Sequence, residues 1–347
     1  MAAIPANLMA DPTLAAIDAA LVREKAQEPR RTYLGFSAIG QSCSRRLWYS
    51  FRWAENETFS PLSAKAIEDG HRGEDVQADR LRLVPGVELH TVAEDGKQFG
   101  FIALAGHFRG HMDGAIHGIL QAPKTWHVWE HKQVNDKKFA KLDACKAKHG
   151  EKDALRHWDP VYYAQAVLYM RFTGMTRHYL TCASPGGRST TSCRTDENTA
   201  EADRLVDKAE RIIFTDRPPE RITEDPAWFE CKWCPYSSLC HATAAPLPNC
   251  RTCAHATPTR DGTWVCERHH KVLSKDDQLA GCQAHRFIPA LLDRFAEPVD
   301  ASEDDNWIAY RNTLTGEQFV NGADGLSSET IHDTLDKRLL GAKENAA

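Results

Sequence analysis

Apolar and polar residues alternate most clearly between residues 106 and 132, GHFRGHMDGAIHGILQAPKTWHVWEHK. Two runs with a period of two, 110–116 and 126–133, flank a turn-rich connection containing Gly118, Gln121, Pro123 and Lys124. That pattern predicts two β-strands joined by a loop. On the second strand a period of two puts Trp126, Val128, Glu130 and Lys132 on one face. Asp113 lies on the first strand, so two carboxylates and an ammonium can meet at one edge of a sheet.

Helical periodicity dominates elsewhere. Asp11-Pro12 opens an amphipathic helix over 12–27, with Leu14, Ile17 and Leu21 on its apolar stripe. A second helix is expected from Ser37, with Cys43 in its middle and Arg45-Arg46 just after. Ser60-Pro61 caps a third. On that helix Ile67, Glu74 and Leu81 share a face, with Gly70 four residues before Glu74. An acid on an apolar face needs a cationic partner or a metal, because burying an unpaired carboxylate is costly; a buried salt bridge fits equally. Asp159-Pro160 starts a helix that Gly174 stops, and on it Gln165 and Tyr169 are i, i+4 neighbours. Then come a strand over 177–183, a Gly/Ser/Thr loop, an amphipathic helix over 199–215 and a linker over 216–226. The C-terminal part contains a cysteine-rich region, an acidic break at Glu303–Asp305, a hairpin around Thr315-Gly316 and a helix from near Ser328.

Length and composition narrow the class. With 347 residues, 42% hydrophobic and 26% charged, the chain reads as a globular protein of one large domain with appendages, or of two domains. No apolar run reaches about 18 residues, so no membrane partner is expected. The leader-like N-terminus lacks a basic region and is interrupted by Asp11 and Asp18, so a cytoplasmic location is expected, host cytoplasm if the chain is phage-encoded. The net charge of −5 does not suggest nucleic acid. Residues 131–157, however, hold eight Lys/Arg against four acids, an excess of four positive charges. That stretch reads either as a track for a phosphate backbone or as a mobile solvated loop.

Divalent cations favour hard oxygen ligands, and phosphodiester cleavage uses a metal-activated water with a cation to steady developing charge. Asp113, Glu130 and Lys132 supply those parts. Taken alone the pattern is weak: Asp113-Gly114 also reads as a turn, and Glu130 with Lys132 as a surface charge pair.

Eleven cysteines in an intracellular chain point to metal or catalysis rather than disulfides. Cys231-x2-Cys234-x5-Cys240 is a tight trio lacking a local fourth. A [4Fe–4S] cluster needs four thiolates, and Cys43 is available to complete it. Such a bond would staple residue 43 to residue 231. Cys250-x2-Cys253-x12-Cys266-x15-Cys282 is locally complete and reads as a closed Zn²⁺ site, with His255, His269 or His285 able to replace one thiolate. Cys145, Cys182 and Cys193 fit neither pattern and read as ordinary core or surface thiols.

The set now resembles a known family. Gly70-x3-Glu74, Gly110-His111-Met112-Asp113-Gly114, Glu130-His131-Lys132 and Gln165-x3-Tyr169 follow the order of the RecB-like nucleases of the PD-(D/E)XK superfamily. One N-terminal cysteine plus C-x2-C-x5-C is similar to the iron–sulfur branch, which includes AddB-type domains and the CRISPR-associated adaptation exonucleases. Phage-encoded relatives of the latter are the nearest in pattern. The likeness covers roughly residues 33–241.

It implies an α/β fold: a mixed central sheet flanked by helices, the restriction-endonuclease-like core, with an iron–sulfur staple and a small zinc module. The expected division is 1–245 for the nuclease domain, 246–297 for the zinc module, and 298–347 for a linker, hairpin and terminal helix. It further implies Mg²⁺ or Mn²⁺ on Asp113 and Glu130, assisted by Glu74 and the carbonyl of His131. Lys132 would orient water, and Gln165 and Tyr169 would contact DNA or order the site. Many relatives carry histidine as the first-helix ligand, which leaves Glu74 and His71 as alternatives. The implied activity is metal-dependent exonucleolysis of single-stranded DNA ends, in recombination, repair or DNA processing, with partner proteins from those processes. Two alternatives are a catalytically silent DNA-binding or docking module and an iron–sulfur redox protein, although no Rossmann or flavin motif accompanies the cysteines.

Overall fold

The strand His127–Gln133 is the middle of a five-stranded sheet whose order is Glu88–His90, Gly114–His117, His127–Gln133, Arg177–Ala183, Thr190–Asp196. Its pairing with Gly114–His117 is antiparallel and its pairing with Arg177–Ala183 is parallel, so the sheet is mixed, as expected. A parallel pair needs a long crossover. Here it is built from the helices Asp136–His149, Ala154–Trp158 and Pro160–Thr173.

The computed structural model describes residues 11–341, which divide into two units interleaved in sequence. The first takes the chain up to Arg31, Glu57–Phe101 and Gly110–Asp203. The second takes Thr32–Asn56, Ile102–Arg109 and the chain from Arg204 onward. The first ten residues of the leader-like stretch lie outside the described part. No helix among the described residues is long and apolar enough to cross a membrane.

In the first unit both sheet faces are covered, which explains why the run His127–His131 is buried throughout. On one side Trp129 and Tyr179 pack with Ala78 and Leu81 of the helix Pro61–Arg82. On the other, Leu180 and Cys182 pack with Leu142, Leu155, Trp158 and Ala166 of the crossover. Cys182 and Cys193 are core thiols there. The caps act as the sequence indicates: Ser60 accepts from Ser63 N–H, Asp159 accepts from Val161 and Tyr162 N–H, and Gly174 ends its helix at φ 73°. Gly114 is required by close approach, since a Cβ there would lie 2.6 Å from the carbonyl oxygen of His90.

Several expectations need correction. The first predicted strand is split, with Phe108–His111 and Gly114–His117 separated by Met112 and Asp113, so the Asp113-Gly114 turn is a bend between strands. Trp126 precedes its strand rather than sharing its face. The basic segment is not a mobile loop but two helices, Asp136–His149 and Ala154–Trp158. The expected loop before residue 199 contains the strand Thr190–Asp196.

In the second unit Cys43 is the N-cap of the helix Ser44–Phe51, not its middle, and its sulfur accepts from Arg46 N–H. The strand Ala296–Ser302 joins the hairpin of Trp307–Asn312 and Gln318–Asn321 in a three-stranded sheet. Phe287, Phe295, Tyr310, Phe319 and Ile331 form its core. The terminal helix is Ser328–Asp333.

Candidate active site and cysteine clusters

Asp113, Glu130 and Lys132 meet in the first unit at the bend between strands. Lys132 Nζ lies 2.7 Å from Glu130 Oε2 and 3.6 Å from Asp113 Oδ2. The backbone N–H of His131 donates to Asp113 Oδ2 at 2.8 Å, and that of Asp113 to Glu130 Oε1 at 3.4 Å. Two successive residues of one strand, His131 and Lys132, therefore fix the acid presented by the neighbouring bend. Glu130 is 2% exposed, which is rare for a carboxylate and tolerable only with such partners.

Crowding shows in the acid–base balance. Burial, and then the Asp113 carboxylate, push Glu130 up to about 8 and Glu74 up to about 7. Burial works against the Lys132 charge, but Asp113 and Glu130 outweigh it and hold the side chain as an ammonium ion. Three carboxylates thus face a lysine that neutralises one of them. Hard oxygen donors in excess of local positive charge fit a divalent cation. Among the described residues no three ligating side chains already stand at metal-coordinating separation. Lys132 is the counter-ion to the carboxylates here. Of the two first-helix alternatives, Glu74 is the one brought beside Asp113 and Lys132, while His71 is exposed.

Gln165 and Tyr169 are buried on the helix Pro160–Thr173, and Gln165 Nε2 donates to Tyr169 Oη at 3.1 Å. The Tyr169 hydroxyl donates to the carbonyl of His111. Their contact is thus with the segment carrying Asp113. Sequence reasoning missed Tyr162, whose ring lies 5.6 Å from Lys132 Nζ. Its signal was present: residues 162, 165 and 169 fall at i, i+3, i+7 on one helix face. Also missed was the side chain of His131, whose Nδ1 is 3.0 Å from Thr181 Oγ1, which accepts from Trp129 Nε1 at 3.0 Å. Burial, then the Lys132 charge, hold this imidazole down at about 4.

Eight of the eleven cysteines lie in the second unit, in the two sets that the sequence spacing suggests. Cys43, Cys231, Cys234 and Cys240 are close enough for each later thiol to feel the Cys43 charge. Ser42 donates to the Glu230 carboxylate, fastening the neighbouring residues of chain segments 188 apart. Arg46 N–H donates to Cys43 Sγ at 3.4 Å. An iron–sulfur cluster needs four thiolates, and these four are not gathered at metal-coordinating separation among the described residues. Cys250, Cys253, Cys266 and Cys282 line one cavity of about 320 Å³ together with His255, His269 and His285. Burial, then neighbouring thiols, push Cys250 up to about 12.

No protein-family model matches the chain, and no curated protein matches it. Some solved structures do. A crystal structure described as SSO0001 matches with TM-score 0.39 and 16% identity, over 66% of this chain and 96% of that one. The alkaline exonuclease LHK-Exo from Laribacter hongkongensis matches with TM-score 0.37 and 15% identity, over 55% of this chain and 90% of that one. Its complex with dAMP matches with TM-score 0.36 and 14% identity, over 53% and 87%. These are distant likenesses, and the chemistry of this chain rests on its own residues.

Proposed function

We propose that the chain is a metal-dependent DNA exonuclease of the PD-(D/E)XK type, acting on single-stranded DNA ends in recombination, repair or DNA processing. The observation that carries this reading is the contact of one half-buried lysine with two carboxylates, one on its own strand and one on the bend beside it, 2.7 Å to Glu130 and 3.6 Å to Asp113. Asp113 and Glu130, with Glu74 and the carbonyl of His131, are the groups that would hold Mg²⁺ or Mn²⁺. When bound, such a cation supplies Lewis-acid polarisation of the phosphoryl oxygen and a more acidic water.

The chain's own groups do the rest. Lys132 remains charged, and an ammonium fixed in a water-poor site stabilises negative charge growing on the phosphoryl oxygens. It also orients the attacking water. His131 N–H holds one oxygen of Asp113 in place, and Tyr169, through the His111 carbonyl, holds the bend on which Asp113 stands. A [4Fe–4S] cluster on Cys43, Cys231, Cys234 and Cys240 would reinforce the Ser42–Glu230 fastening without redox turnover.

Anaerobically purified protein incubated with end-labelled single-stranded DNA tests the reading. Mn²⁺-dependent shortening from an end that EDTA stops, and that Asp113→Ala loses, is expected. Equal shortening by Asp113→Ala would contradict it.

A further inference from the structure

The residues 250–285 of the second unit hold a group of side chains that the nuclease chemistry does not use. The sequence places Cys250 and Cys253 at either end of a single 3-10 turn, Cys250–Thr252. That turn is closed by a reciprocal cap: Asn249 accepts from the backbone of the turn, and the Thr252 hydroxyl accepts from Asn249 N–H. Cys266 ends the middle strand of a small ribbon, opposite Ala256 on one side and Lys271 on the other. Cys282 and His285 form a second tight turn, with His285 N–H donating to the Cys282 carbonyl at 3.0 Å. Three separate elements therefore each deliver a thiol to the wall of the same cavity.

None of these elements is self-supporting. The ribbon strands Ala256–Pro258, Trp264–Cys266 and Lys271–Val272 are three, three and two residues long. Strands this short are marginal in water without a cross-link or a substantial core. All four cysteines are free thiols, so no disulfide supplies the link. The histidine in the wall adds a second observation. His285 is 3% exposed, its Nε2 is 3.0 Å from the Asn249 carbonyl, and its Nδ1 is buried with no hydrogen-bond partner. A carbonyl can only accept, so Nε2 carries the proton and Nδ1 bears a lone pair. The walls of this cavity thus present thiols and an imidazole lone pair, the donor chemistry that selects zinc over harder cations.

We propose that Cys250, Cys253, Cys266 and Cys282 bind one Zn²⁺ as a closed structural site, distinct from the thiols of Cys43, Cys231, Cys234 and Cys240. The metal draws the two turns and the ribbon together and takes no part in DNA hydrolysis. His285 stays behind the thiolates, anchored to Asn249, and is the competitor for the fourth position.

Zinc-edge X-ray absorption on the full wild-type chain, with zinc and iron counted per chain, tests this without relying on activity. One zinc per chain with a first shell of four sulfurs at about 2.3 Å supports the proposal. Absence of stoichiometric zinc overturns it, as does a shell of three sulfurs and one nitrogen, or a shell of oxygens. The last would place zinc at the carboxylates instead. Cys266→Ser adds an independent arm: loss of zinc with iron retained supports the grouping, whereas loss of iron or retention of zinc overturns it. Neither readout depends on whether the chain cleaves DNA, so failure here and failure of the nuclease reading are separable.

Discussion

The hydroxyl of Tyr169 donates a hydrogen bond to the backbone carbonyl of His111, two residues before Asp113. Gln165, one helical turn away, donates its Nε2 hydrogen to the Tyr169 hydroxyl oxygen at 3.1 Å. The helix Pro160–Thr173 therefore holds the segment that carries Asp113, the acid proposed to bind the metal. Tyr169→Phe removes the hydroxyl and little volume. It is expected to lower the single-turnover cleavage rate by about tenfold to a hundredfold through misplacement of Asp113. The loss in stability should be only about 1 kcal/mol. Measuring kcat, KM and thermal unfolding together checks this; an unchanged kcat would remove Tyr169 from the positioning of the site.

The basic helices sort their own lysines. Lys138 is committed to Asp159 at 2.6 Å and lies 4.3 Å from the ring of Tyr162, and Lys141 donates to the Trp158 carbonyl. Lys137 and Lys148 are exposed, and no ion pair or hydrogen bond engages either among the described residues. Lys137→Glu and Lys148→Glu are therefore expected to weaken single-stranded DNA binding and to flatten the slope of log affinity against log salt by about one each. Lys138→Glu should instead destabilise the fold. Fluorescence anisotropy over a salt series distinguishes these outcomes, and an unchanged slope for Lys137→Glu and Lys148→Glu would show that DNA follows another path.

The meeting of Asp113, Glu130 and Lys132 was largely legible because strand periodicity and short caps are local signals. Glu130 and Lys132 share a strand face as the period of two requires, with Asp113 reaching them from the adjoining bend, and Ser60-Pro61, Asp159-Pro160 and Gly174 mark helix ends as their chemistry dictates. What stayed hidden depends on tertiary context. The strand Thr190–Asp196, TTSCRTD, is polar enough to read as a loop, because as an edge strand it buries little beyond Cys193 and Thr195. Cysteine is not a habitual N-cap, so the helix Ser44–Phe51 was expected to begin too early. The strand Ala296–Ser302 was obscured by Pro298, which it tolerates because its register shifts between Pro298 and Asp300. The interleaving of the two units has no local signature.

His178 gives the fold an acid-sensitive element. It is 1% exposed, neither ring nitrogen finds a partner, and it stands opposite Thr195 on the neighbouring strand. Burial, then the charges of Lys132 and His127, hold it down at about 3. An unfolded histidine titrates near 6.5, so between these values the unfolded chain binds a proton that the folded chain refuses. Stability is complete above about pH 6.5 and falls as pH falls, by on the order of 2 kcal/mol at pH 5 from this residue. His178→Leu is expected to flatten that decline in urea unfolding at pH 7 and pH 5. The same decline in parent and variant would mean that His178 is not its source.

Lys132, held between Glu130 and Asp113, is where the proposed chemistry is most exposed to test. The decisive measurement is the single-turnover rate at which Lys132→Ala and the parent shorten end-labelled single-stranded DNA at saturating Mn²⁺, with Mn²⁺ binding followed in parallel by electron paramagnetic resonance. The account expects the variant to retain Mn²⁺ on its carboxylates while cleavage falls by about a hundredfold or more, the usual cost of removing an electrostatic catalytic group. Cleavage within a fewfold of the parent, with Mn²⁺ bound, would contradict it.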